Sequence, residues 1–80
     1  MSDRIPKAVE AKLHGTSCKY ALIVFLDGRD AFIDFSCPTH AAFLVELRDW
    51  KRNTWPSLSR SDCRLFIKEP GAIKELHINA

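Results

Sequence analysis

The chain has 80 residues, with 12 Lys and Arg against 10 Asp and Glu, so its formal net charge is +2. Hydrophobic residues make up 46% and charged residues 28%, which is typical of a globular domain and excludes a disordered chain. We expect residues 1–80 to form a single domain, with residues 1–7 frayed. The longest apolar run, residues 21–26, is too short to cross a bilayer, and residues 1–6 carry no apolar stretch of a secretory signal.

The first predicted element is a strand over residues 8–14. Val9, Ala11 and Leu13 fall on one side of this segment, and polar residues fall on the other. A period of two is typical of a strand with one buried face. A turn signal, Gly-Thr-Ser, follows at residues 15–17, so we expect the chain to reverse direction there.

A hairpin is predicted next. Residues 18–27 and 30–35 are both rich in β-branched and aromatic side chains, and Asp27-Gly28 lies between them. Asp-Gly in this position indicates a type I′ turn, because both central residues of that turn need positive φ. With a two-residue loop at Asp27-Gly28 or at Gly28-Arg29, even positions of the first strand share a face with odd positions of the second. The predicted core face carries Tyr20, Leu22, Val24, Leu26, Ala31, Ile33 and Phe35.

A helix is predicted over residues 38–53, with Ser36 or Thr39 as its cap and an end before Pro56. Its apolar stripe, at a spacing of 3.6 residues, consists of Phe43, Leu44, Leu47 and Trp50. Residues 57–62 are predicted as a loop.

Two further strands are predicted, over residues 63–69 and 72–79, around the turn pair Pro70-Gly71. The expected fold is therefore α+β. It has an antiparallel sheet of four to five strands with one helix packed on one face, in the order β-β-β-α-β-β.

The cysteines indicate a reducing compartment, and we expect a cytoplasmic protein. Cys18, Cys37 and Cys63 form an odd, widely spaced set, which predicts buried thiols rather than disulfides. Cys37 and His40 have the Cys-x-x-His spacing of half a zinc site, but no second pair supplies the remaining ligands. We expect no metal and no cofactor.

Catalysis is poorly supported, and we expect the protein not to be an enzyme. The sequence has no Gly-rich phosphate loop and no Gly-x-Ser-x-Gly elbow. Cys37 and His40 could pair as nucleophile and base, yet no third group is evident to orient them. Asp27, Asp30 and Asp34 are interpreted as solvated turn residues rather than cation ligands.

Two surfaces are candidate interaction sites. A basic surface extends from the second half of the predicted helix into the loop and strand after it. Its cations suit phosphate or carboxylate groups, with tryptophan rings between them. It consists of Arg48, Lys51, Arg52, Trp55, Arg60 and Arg64. The second surface is the sheet face away from the helix, which would form a homodimer or partner interface unless the N-terminal segment or the Trp55 loop covers it. It consists of Ile23, Phe25, Phe32 and Phe66.

In size and character the whole chain resembles small phage-encoded inhibitors of the anti-CRISPR type, which are often single compact α+β domains without catalytic motifs. The resemblance implies a protein that binds a CRISPR effector complex in the host bacterial cytoplasm and blocks DNA recognition or cleavage. It carries over no individual residue, because those families share no common motif. The alternatives are a small nucleic-acid-binding regulator that uses the Arg48 to Arg64 surface, and a subunit of a larger assembly. A dedicated DNA binder would usually be more basic than this chain.

Overall fold

The computed structural model describes residues 5–78 and has an α+β fold built on a four-stranded antiparallel sheet. The helices are α1 (Lys7–His14), α2 (His40–Asn53) and α3 (Trp55–Leu58). The strands are β1 (Tyr20–Leu26), β2 (Asp30–Cys37), β3 (Cys63–Glu69) and β4 (Ala72–Leu76). The order across the sheet is β2-β1-β3-β4, so β1 and β3 are central. The α+β class is confirmed, whereas the predicted five-strand variant and the single helix are not.

The first element is a helix that begins at Lys7, so the predicted strand over residues 8–14 is wrong. The N–H of Val9 donates to the Pro6 carbonyl at 3.0 Å and opens the first turn. Residues between Val9 and Leu13 are alanine, glutamate and lysine, which favour helix. Val9 and Leu13 are four apart, a spacing that fits a helix as well as a strand over so short a segment. The expected fraying of residues 1–4 lies outside the described residues.

The sheet is covered on both faces, because α2 packs on one face and α1 on the other. The core on the α2 side contains Leu22, Val24, Cys37, Phe43, Leu47, Trp50, Leu65 and Ile67. The core on the α1 side contains Val9, Ile23, Phe25 and Phe66. Residues 21–25 of β1 are all buried, which explains why this strand reads as a continuous apolar run rather than an alternating one.

The predicted turn at Asp27-Gly28 is confirmed. Asp27 has φ 53° and Gly28 has φ 67°, and the N–H of Arg29 donates to the Leu26 carbonyl at 2.9 Å. The loop has three residues, however, because Leu26 pairs with Asp30. An odd loop length reverses the faces of the following residues.

The predicted faces of three β2 residues are therefore wrong. Phe32 pairs with Val24 and lies on the α2 side of the sheet, while Ala31 and Ile33 pack on the α1 side. A bulge follows, because Leu22 pairs with Phe35 and the next residue along β1, Ile23, pairs with Ile33. The bulge restores the predicted side for Phe35, which packs against the α2-side core.

The helix α2 begins and packs largely as predicted. The Thr39 hydroxyl accepts a hydrogen bond from the N–H of Ala42 at 3.2 Å, which confirms Thr39 as the cap. Phe43, Leu47 and Trp50 are buried beneath it. Leu44 is half exposed, so its place in the core stripe is wrong. The predicted loop after Pro56 begins as the short helix α3.

The last hairpin is confirmed. β3 and β4 pair from Leu65 with Leu76 to Glu69 with Ala72, and Gly71 has φ 74°. The ammonium group of Lys68 donates to backbone carbonyls of the α1–β1 connection, at 2.6 Å for Cys18 and 3.4 Å for Thr16. These hydrogen bonds connect the segment after α1 to the central strand β3.

Candidate protein-interaction surface on α2

The side of α2 that faces away from the sheet carries apolar and basic side chains together. We call it the outer face of α2, and it consists of Ala41, Leu44, Val45, Arg48, Lys51 and Arg52, with the exposed acid Asp49 among them. All six residues are exposed. Leu44 retains 50% of its surface and Val45 retains 53%, which are the largest exposed fractions among the large apolar residues of the described chain. The apolar residues lie in the first half of the helix, and the cations lie in the second half.

The cations of the outer face have no acidic partner within residues 5–78. The ion pairs in this part of the chain join Arg64 to Glu75 and Lys74 to Glu69. Arg48 and Arg52 are four residues apart on the helix, so their like charges repel each other. The C-terminal end of the helix dipole offsets some of this repulsion. Asp49, three residues before Arg52 on the same helix, offsets a further part, and a carboxylate from another molecule would reduce what remains.

The two tryptophans near the α2 cations, Trp50 and Trp55, pack on each other and on the α2-side core. Trp50 is buried, and Trp55 packs on it with ring centroids 5.8 Å apart. Trp55 also packs against the α2-side core as a half-buried residue. Neither ring lies open beside Arg48 and Arg52 in the manner that base stacking requires.

Arg64 is also separated from the α2 cations. It has the same parity in β3 as Phe66, so it lies on the α1 side of the sheet, and its guanidinium carbon is 5.1 Å from the Phe66 ring centroid. Its Nε and one terminal nitrogen donate to the Glu75 carboxylate at 2.9 and 2.8 Å. Arg60 is exposed in the connection between α3 and β3. The expectation that all six residues form one basic surface is therefore wrong for Trp55 and Arg64.

The expected interface on the second sheet face is wrong as well. Ile23, Phe25 and Phe66 are buried beneath α1, which is the N-terminal cover that the sequence left open as the alternative. Phe32 keeps 37% of its surface, but it lies on the other side of the sheet. These four residues do not form an exposed patch.

The three cysteines are free thiols, and burial raises the pKa of two of them. Cys37 is buried as predicted, whereas Cys18 and Cys63 are half-buried. Burial raises the pKa of Cys37, with a smaller contribution from Glu46. Burial also raises the pKa of Cys63, with smaller contributions from Asp62 and Asp27. Both thiols are therefore held in the protonated form.

The remaining polar candidates are dispersed. His40 is exposed, and its ring centroid lies 5.4 Å from that of Tyr20. Asp34 turns toward α2 and accepts a hydrogen bond from the indole N–H of Trp50, away from the hairpin tip at Asp27. In the described part of the chain, no three His, Cys, Asp or Glu side chains come together as metal ligands. Nor does any helix there have the length and apolar character needed to cross a membrane.

No protein-family model matches the chain, and searches of curated proteins and of solved structures also find no match. The sequence pattern predicted the cations of the outer face of α2 but assigned Leu44 to the buried stripe. The available signal was that residues 43–50 contain more large apolar side chains than one buried stripe accommodates.

Proposed function

We propose that this protein is a non-catalytic binding domain that acts by occupying a surface of a partner protein, and that it binds through the outer face of α2. The observation that carries the proposal is the exposure of Leu44 and Val45 beside Arg48 and Arg52. When a partner covers apolar side chains that are this exposed, their burial favours binding. Arginine is enriched at protein interfaces, because its planar group pairs with carboxylates in two-point geometry.

The protonated thiols support the non-catalytic part of the proposal. A cysteine nucleophile reacts as the thiolate, and it is activated by cations that lower its pKa. Cys37 and Cys63 have the opposite environment, since burial and nearby carboxylates raise the pKa of each.

The partner that we propose is a CRISPR effector complex, on the basis of the resemblance in size and character to anti-CRISPR proteins. A binding domain without catalysis suits that role, because a stoichiometric inhibitor needs only a stable contact. In cells with active CRISPR immunity, expression of the protein should restore transformation by a targeted plasmid. The assay is repeated with each available effector type, because the surface does not specify one.

A charge-reversal variant tests the surface in the same assay. The double change Arg48→Glu/Arg52→Glu should abolish the restored transformation, because it reverses the charge of the proposed contact. The fold should remain, because both side chains are exposed and lie off the buried stripe. The matched control is Lys7→Glu/Lys12→Glu, which reverses two exposed cations of α1 on the other side of the molecule. Equal loss with both variants would contradict the assignment to α2.

Affinity purification of the tagged protein tests the broader proposal. A defined partner protein should remain bound after nuclease treatment and should be lost with Arg48→Glu/Arg52→Glu. Recovery that disappears with nuclease would instead indicate a nucleic-acid-binding regulator. Recovery that is unchanged by the α2 variant would place the contact elsewhere.

A further inference from the structure

We infer that the segment bound by the outer face of α2 is an acidic amphipathic helix, an inference that rests on the proposed function. The positions 41, 44, 45, 48 and 52 form a continuous stripe on one side of the helix, about 16 Å long at 1.5 Å per residue. Such a stripe is convex, and the ridges of one helix pack into the grooves of another. The small side chain of Ala41 allows close approach at the N-terminal end of the stripe. A partner helix of about three turns covers this length.

Charge defines the chemistry of that helix. Arg48 and Arg52 occupy one half of the stripe, with Lys51 beside it, and none of the three makes an ion pair in the described chain, while Leu44 and Val45 occupy the other half. The complementary helix therefore carries carboxylates toward one end and apolar side chains toward the other. Each guanidinium then gains a charge-assisted hydrogen bond that the isolated protein does not provide.

A second copy of this chain does not meet that description. Two copies packed with their α2 helices parallel would bring Arg48, Lys51 and Arg52 of each copy together. Two copies packed antiparallel would place these cations against Leu44 and Val45 of the other copy, which offer no carboxylate. Like charges brought together at an interface oppose association. An acidic partner avoids this repulsion and removes the existing repulsion between Arg48 and Arg52.

Nucleic acid fits the stripe less well than an acidic helix. Phosphates would pair with the cations, but they would leave Leu44 and Val45 uncovered. The rings that could stack on bases, Trp50 and Trp55, pack on each other, with Trp50 in the core and Trp55 half-buried against it. The apolar half of the stripe is therefore the feature that separates the two kinds of ligand.

The test uses isotope-labelled full-length protein and two synthetic helical peptides of about three turns. Both peptides carry the same leucine and alanine stripe, and their charged positions are glutamate in one and lysine in the other. The glutamate peptide should shift the backbone amide signals of residues 41–52, and the lysine peptide should not. A short DNA duplex at the same charge concentration should shift these signals less than the glutamate peptide does.

Two variants separate the halves of the stripe. Arg48→Glu/Arg52→Glu should weaken binding of the glutamate peptide by about tenfold or more, since it removes two charged hydrogen bonds. Leu44→Gln/Val45→Gln should weaken binding by about tenfold through lost apolar contact. The Lys7→Glu/Lys12→Glu control should bind with unchanged affinity.

Three outcomes would overturn the inference. They are stronger shifts with DNA than with the glutamate peptide, equal shifts with both peptides, and no shifts in residues 41–52 with either peptide. The proposed function fails separately, when nuclease-resistant recovery of a protein partner is insensitive to Arg48→Glu/Arg52→Glu. Recovery that depends on α2 combined with no acidic-peptide binding would retain the proposed function and reject the acidic helix.

Discussion

The indole N–H of Trp50 donates a hydrogen bond to the carboxylate of Asp34, and this bond joins α2 to the edge strand β2. Asp34 is the extra residue of the bulge in β2 and lies on the α2 side of the sheet, as Phe32 does. The neighbouring indole N–H of Trp55 is buried and has no acceptor among residues 5–78. Two stacked tryptophans thus differ in one respect, because one N–H is paired and the other is not.

This difference predicts unequal losses of stability when each tryptophan is replaced by phenylalanine. Trp50→Phe should lower the free energy of unfolding by about 1 to 2 kcal/mol more than Trp55→Phe, because only the first change removes a hydrogen bond to a charged acceptor. Trp55→Phe removes an unpaired buried donor, which offsets the loss of ring contact. Urea denaturation of both variants measures the difference. Equal losses would indicate that ring packing alone determines stability at this site.

The Arg64–Glu75 pair predicts a pH dependence. The hydrogen bond from Arg64 is the main cause that holds the pKa of Glu75 below its usual value of 4.5. Because the folded pKa is lower than the unfolded one, the stabilisation is complete above the unfolded value. It is lost as the pH falls through the folded value. The side chains of Arg64 and Glu75 are 41% and 27% exposed, so screening by solvent limits the effect to less than about 1 kcal/mol.

Denaturation of the wild type and of Glu75→Gln at a series of pH values checks this expectation. The wild type should lose more stability than the variant between about pH 5 and about pH 3. Arg64→Gln should show the same shallower profile, since it removes the other half of the pair. Parallel profiles for all three proteins would exclude a contribution from this carboxyl group.

The buried thiols predict slow alkylation of the native protein. Cys37 should react with iodoacetamide at least about tenfold more slowly in the folded state than in urea, because both burial and its raised pKa suppress the thiolate. Peptide mass analysis after timed quenching identifies the modified cysteine.

We also predict zinc content near zero and a mass unchanged by chelator. Stoichiometric zinc that disappears with His40→Ala would show that Cys37 and His40 do bind metal.

The packing of α1 on the sheet predicts the cost of shortening its buried side chain. Val9→Ala should destabilise the protein by roughly 2 kcal/mol, because Val9 is fully buried against Ile23 and Phe66.

Because α1 covers this face of the sheet, we also predict the oligomeric state. Light scattering at tens of micromolar should show a monomer, and Phe32→Asp should not change that state. A wild-type dimer that dissociates with Phe32→Asp would contradict this expectation and indicate an interface at Phe32.

Local signals in the sequence predicted some elements and missed others for physical reasons. Asp27-Gly28, the Thr39 cap and the pair Pro70-Gly71 act within a few residues, and the structure confirms all three. The faces of Ala31 and Ile33 depend on loop length and on a bulge opposite Leu22, which no short pattern encodes.

The candidate surface was predictable to a similar extent. The cations Arg48 and Arg52 follow from helical spacing, and their exposure is confirmed. The position of Arg64 depends on which sheet face its strand presents to α1. The sequence pattern of α1 fits a strand as well as a helix over its eight residues. The exposure of Leu44 depends on the angle at which α2 crosses the sheet. These features are tertiary, so the sequence pattern alone does not determine them.

The strand order has a consequence for how quickly the chain folds. β1 and β2 form one local hairpin and β3 and β4 form another, but β1 pairs with β3 from Ala21–Lys68 to Leu26–Cys63. That pairing closes a loop containing residues 27–62, and loop closure costs entropy before its contacts form. Leu65→Ala, in the β1–β3 seam, should therefore slow refolding, whereas Val9→Ala should mainly accelerate unfolding. In stopped-flow experiments, the two central strands would then set the rate and α1 would dock last.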